Sequence, residues 1–150
     1  MPLQKSDLLG TWTLIRTRET VDGVDTGREP IGVGATGVIH YLPDDRMAVI
    51  MANGGRQPMS RGRYDSDDRE TAESARTFTA YAGTFEVDGN DVIHHLDLCL
   101  HQDHVGTDYL RHATLDGDRL VLAMPEARSR KGMIQWSLEW RRASRFAPVE

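Results

Sequence analysis

Turn-forming residues interrupt this chain at intervals that suit strands far better than helices. Val21-Asp22-Gly23, Pro43-Asp44-Asp45-Arg46, Asp88-Gly89-Asn90-Asp91, Gln102-Asp103-His104 and Asp116-Gly117-Asp118 separate stretches rich in β-branched and aromatic residues. Glycine, asparagine and aspartate tolerate the left-handed backbone of tight turns, and proline presets their first dihedral. A spacing of roughly 8 to 12 residues between such signals belongs to an all-β sandwich or barrel. The segments between them predict strands over residues 10–19, 37–42, 47–51, 83–87, 92–100, 106–115, 119–124 and 134–141. About eight strands are enough to close a barrel around its own side chains or one small ligand. In the first strand, alternation puts Trp12, Leu14 and Arg16 on one face and Thr11, Thr13, Ile15 and Thr17 on the other. One short α-helix is predicted over residues 66–82, where Asp67 and Glu70 can form a capping box and Ala72, Ala75, Phe78 and Ala82 recur at helical spacing. The expected fold is therefore all-β: an antiparallel up-and-down barrel of about eight strands, one domain over residues 1–150. A glycine-rich loop joins the first two strands, and residues 53–63 form a second loop expected to lie across one mouth of the barrel.

Composition narrows the function. The chain of 150 residues is 39% apolar and 27% charged, with a net charge of -5. No run approaches the roughly 18 apolar residues of a membrane span, so no membrane partner is expected. Lysine and arginine are dispersed, which argues against a nucleic-acid partner; residues 128–131, the main exception, read as a solvated hairpin loop. The lone Cys99 precludes an internal disulfide framework and a multi-cysteine zinc site; it reads as a small buried hydrophobe in a reducing compartment. The N-terminal residues carry no secretory pattern, so a cytoplasmic location is expected. The sequence neither requires nor forbids a homodimer.

Several local patterns carry a family resemblance. They are Leu8-Leu9-Gly10-Thr11-Trp12, residues 37–41 followed by Asp45-Arg46-Met47 and Val49, and Ala80-Tyr81-Ala82-Gly83-Thr84-Phe85. They continue with Val92-Ile93-His94-His95, Val105-Gly106-Thr107, Arg111, Leu115-Asp116-Gly117-Asp118-Arg119-Leu120 and Leu138-Glu139-Trp140-Arg141. Their order and spacing, from Leu8 to about Arg142, resemble the bacterial lipocalin-like domain proteins. The resemblance implies a lipocalin-like barrel and, by analogy, small-molecule binding; it implies no single activity, because function resides in sites rather than folds. It also implies that the Trp12 indole plugs one barrel end. The chain departs from the family where an Asn/Pro-Trp loop is expected, carrying the polar His101-Gln102-Asp103-His104-Val105 instead.

The candidate site centres on residues 92–101, where Val92, His94, Leu96, Leu98 and Leu100 alternate with Ile93, His95, Asp97, Cys99 and His101. If His95 pairs opposite Arg111, Asp97 falls opposite Tyr109, and the four share one face. Pointing inward, that face would offer an imidazole, a carboxylate, a phenol and a guanidinium to an oxygenated ligand; pointing outward, it would leave the leucine face to pack the core. His40 and Tyr41 lie on opposite faces of their strand, so one of them can reach the cavity, and Tyr81 at the helix end can close a mouth. Expected ligand-binding residues are thus His40, Tyr81, His95, Asp97, Tyr109 and Arg111. The leading expectation is binding of a small, largely apolar organic molecule bearing an oxygen function. The alternative is a cofactor-independent cyclase, isomerase or lyase, with His95 as base and Asp97 as its orienter. A third class, an interaction module using an exposed strand or the 53–63 loop, remains open. His101, His104, Asp103, His94 and His95 have no recognised metal-ligand spacing, and neither metal nor cofactor is expected. Gly32 and Gly34 lack the strand-before, helix-after setting of a nucleotide loop. Trp136 and Trp140 share a face and read as packing.

Overall fold

The computed structural model describes residues 2–146. Its strands are β1 (Gly10–Val21), β2 (Val24–Asp25), β3 (Thr36–Tyr41), β4 (Arg46–Ala52), β5 (Phe78–Asp88), β6 (Asp91–Cys99), β7 (Asp108–Asp116), β8 (Arg119–Ala123), β9 (Ala127–Ser129) and β10 (Gly132–Ser144). They pair in the order β2-β1-β3-β4-β5-β6-β7-β8-β10-β9, and β1 also pairs with β10. That last pairing closes a barrel of eight strands, with β2 and β9 as short extensions. Every pairing is antiparallel. Closure satisfies the edge hydrogen bonds that an open sheet would present to other chains.

One end of the barrel is plugged. The short helix α1 (Lys5–Leu8) lies beneath it, and the fully buried Trp12 donates its indole N–H to the Leu8 carbonyl at 2.8 Å. The Arg142 guanidinium stacks 4.1 Å from the Trp12 ring and donates to the Asp7 carbonyl at 2.7 Å. Gly10 makes the close strand crossing here possible. Its φ is +134°, and a Cβ would stand 2.2 Å from the Ser144 carbonyl oxygen, so only glycine fits.

Three register shifts interrupt the strand pairing, and two of them change which side chains face inward. In β1 the register with β10 shifts between Leu14 and Arg16. An extra residue reverses which side chains point inward. Trp12 and Leu14 pack with the core, but beyond the bulge Thr17 and Glu19 are the buried residues, and Arg16 and Arg18 turn outward onto Glu139 at 3.0 and 2.8 Å. The expected shared face of Trp12, Leu14 and Arg16 is therefore corrected. In β6 the pairing with β5 skips Asp97, passing from Gly83↔Leu96 to Ala82↔Leu98. Val92, His94 and Leu96 are buried, whereas Leu98 is 65% exposed. A Cβ on Gly83 would sit 1.7 Å from the His95 carbonyl, so this bulge depends on glycine at that position.

The helix is shorter than expected. α2 (Asp68–Arg76) begins where the Asp67 side chain accepts from the Glu70 N–H at 2.8 Å. It ends before Phe78, because residues 78–82 pair with β4 and Tyr81 is buried in the sheet. α2 itself buries no residue, so the apparent helical spacing of Phe78 and Ala82 came from a strand. Residues 53–63 pack beside α2 rather than over the cavity: Arg56 donates to Ser74 at 3.1 Å, and Gly54 donates to the Ile31 carbonyl at 2.8 Å. Among the described residues no helix is long and apolar enough to cross a membrane.

Candidate functional site

Above the plug, the barrel encloses a cavity of about 470 Å³, within the range of small-molecule pockets. Its walls differ. β3, β4, β8 and β10 contribute Ile39, Val49, Leu122, Trp136, Leu138 and Trp140, all apolar in body. β5, β6 and β7 contribute Tyr81, His94, Tyr109 and Arg111. His104 stands at the mouth, in the 3-10 turn Gln102–His104, and hydrogen-bonds through Nδ1 to the Tyr109 hydroxyl. The expected polar loop thus contributes one side chain to the cavity.

The centre of the polar wall is His94, 1% exposed. Its Nε2 meets the Tyr41 hydroxyl at 2.7 Å and its Nδ1 meets the Tyr81 hydroxyl at 2.9 Å. Burial, with help from the Arg111 and His95 charges, pushes the His94 pKa down to about 3, so the ring is neutral and carries one proton. Tyr41 is fully buried, and among the described residues its hydroxyl meets only His94. Were it to accept from Nε2, its own proton would be stranded without a partner, which costs about 1–3 kcal/mol. Tyr41 therefore donates to Nε2, and the ring proton sits on Nδ1 and is donated to the Tyr81 oxygen. This leaves the Tyr81 O–H available to the cavity it lines. Burial raises the Tyr41 and Tyr81 pKa values, with Arg111 opposing part of each shift, so both phenols stay protonated donors.

The strand pairing explains which expected residues meet. β6 and β7 pair His94↔Tyr109, His95↔Asp108 and Val92↔Arg111. The expected His95–Arg111 register is corrected by three positions, an odd number that moves Tyr109 and Arg111 onto the face of His94. His95 instead points outward, bonded to Asp108 at 2.6 Å and 3.7 Å from Glu86. The Asp108 hydrogen bond, reinforced by the Asp108 and Glu86 charges, raises its pKa despite some desolvation. Asp97 also points outward, bonded to Arg46 at 2.9 Å. His40 bonds through Nδ1 to the Thr11 hydroxyl at 3.0 Å, away from the cavity, while its neighbour Tyr41 is buried against His94. Of the six expected residues, the structure gathers Tyr81, Tyr109 and Arg111 around the cavity and leaves His40, His95 and Asp97 outside it. His94 is the site residue that sequence reasoning missed, and Tyr41, the alternative to His40, is the one buried against it; the one available signal for His94 was the Val92-His94-Leu96 alternation, in which the histidine shares the apolar face.

A buried acid holds one of the cavity-lining tryptophans. Glu19, 2% exposed, accepts from the Trp136 indole at 3.0 Å and from Arg28 at 2.8 Å. Burial alone would raise its pKa, but the Trp136 hydrogen bond and the Arg28 charge outweigh it and hold the carboxyl below its usual value. No group of three or more histidine, cysteine or acidic side chains among the described residues is placed to hold a metal ion.

The closed antiparallel barrel agrees with the sequence comparison. A model of the lipocalin-like domain matches residues 9–143. The chain belongs to that family. No curated protein sequence matches it significantly. The lipocalin-like barrel is consistent with binding small hydrophobic molecules, and the asymmetry of its two walls describes what such a molecule would meet.

Proposed function

We propose that this lipocalin-like protein binds a small, largely apolar organic molecule bearing an oxygen acceptor, held inside the barrel. The observation that carries this reading is the Tyr41–His94–Tyr81 chain: three buried side chains whose only consistent proton arrangement leaves a phenol O–H for a ligand in an otherwise greasy cavity. A second donor supports it. The Trp140 indole N–H is buried without a partner among the described residues, and Trp140 lines the same cavity. Unpaired buried donors cost free energy that a ligand oxygen would recover.

His95 and Asp97, the base and orienter of a cyclase, isomerase or lyase, lie on the outer surface and away from the cavity. The binding reading is tested with the neutral fluorophore N-phenyl-1-naphthylamine. Saturable binding near one per chain is expected, displaced by dodecan-1-ol, with Tyr81→Phe weakening the alcohol about fivefold, the worth of one hydrogen bond. Absence of saturable binding to the folded protein would sink the reading.

A further inference from the structure

Resting on that binding reading, we infer that the ligand is an organic anion, a carboxylate on an apolar body, whose charge is neutralised by Arg111.

The charge inventory of the cavity motivates this. Arg111 is the only arginine or lysine among the cavity-lining residues, and no aspartate or glutamate accompanies it there. Its recorded partners are neutral: the Leu110 carbonyl at 2.9 Å, the Tyr81 hydroxyl, and the face of the Tyr109 ring, 4.9 Å from the guanidinium carbon. Other arginines of this barrel are paired with carboxylates. Arg16, Arg18 and Arg119 converge on Glu139, Arg28 reaches Glu19, and Arg142 reaches Asp118. Glu19 cannot serve Arg111 as well, since it is engaged by Arg28, Trp136 and Thr26. A guanidinium offers five N–H donors in a planar fork suited to a carboxylate, and here most of that fork is unspent.

The neighbouring groups fit the same ligand. Tyr81 and Trp140 add donors, whereas both ring nitrogens of His94 are already engaged by tyrosine hydroxyls. A group that only accepts, such as a carboxylate, satisfies these donors without leaving a proton unmatched. An alcohol would bring a proton of its own and no charge for Arg111. The opposite wall of Trp136, Leu138, Leu122 and Ile39 suits the apolar body.

The test uses matched pairs that differ in charge. Displacement of N-phenyl-1-naphthylamine from the full-length protein is measured with dodecanoate and with dodecan-1-ol, and direct binding of that neutral fluorophore is compared with its sulfonate analogue, 1-anilinonaphthalene-8-sulfonate. We expect the anion to bind about tenfold more tightly than its neutral counterpart in each pair, as befits a charge-assisted contact. Arg111→Leu and Arg111→Gln should reduce that ratio to near unity while retaining the neutral fluorophore. Equal or tighter binding of the neutral partner by the natural sequence overturns the inference but leaves the binding reading standing. So does an anion preference that survives both substitutions. If neither member of either pair binds, both readings fall. Should the variants fail to fold, the two wild-type ratios still decide.

Discussion

His94 has no spare nitrogen, and its neutrality has consequences for acid stability. Its pKa is about 3 in the folded chain against an ordinary 6.5, so between those values the unfolded state binds the extra proton. The stabilisation is complete above pH 6.5 and is lost progressively as pH falls toward 3. Between pH 7 and pH 5 this single group should cost roughly 2 kcal/mol of unfolding free energy, at about 1.4 kcal/mol per pH unit. Denaturant titrations of the natural sequence and of His94→Gln at the two pH values should show the smaller loss in the variant; equal losses would contradict the assignment. His95 works in the opposite sense, since a raised pKa contributes below pH 6.5 and fades as pH rises through its folded value. The comparison with the variant removes that contribution. The proton arrangement is separately visible: nitrogen NMR at neutral pH should show His94 protonated on Nδ1, and Tyr41→Phe should destabilise the fold by about 1–3 kcal/mol by orphaning Nε2.

At the scale of single strands, the bulges decide what each face presents. Gly83→Ala would drive a methyl into the His95 carbonyl, and we expect at least about 2 kcal/mol of destabilisation in thermal or chemical unfolding. Asp67→Ala should cost about 1 kcal/mol through loss of the α2 cap; a cost much below that would mean the exposed helix contributes little to global stability. These same features mark the limit of what the sequence showed. Turn residues and alternation were enough for the eight barrel strands and their order, though not for the short β2 and β9, because turn chemistry is local. Which face of β6 points inward depends on pairing with β5 and β7, and pairing is non-local. Asp97 sits unpaired in a bulge that no local pattern announces, so the leucine series 96, 98 and 100 reads as one face when Leu96 is buried and Leu98 and Leu100 are exposed. An odd shift in the β6–β7 register likewise carried Tyr109 and Arg111 away from His95 and onto the side of His94. Tyr81 was recognised as a cavity residue for the wrong reason, as a helix end rather than the middle of β5.

At the scale of the molecule, the barrel has a closed end and an open one, and they separate stability from recognition. The closed end joins α1, Trp12, Arg142 and Asp118. Trp12→Ala should cost about 3–5 kcal/mol, the range for removing a fully buried large aromatic, with the fluorophore still bound by whatever fraction remains folded. The three tryptophans consequently report on different things. Trp136 and Trp140 line the cavity wall, and Trp12 is sealed beneath the plug by the Arg142 guanidinium. Occupancy of the cavity should therefore alter the emission of two indoles and leave the third nearly constant, giving the protein a built-in optical gauge with its own internal reference.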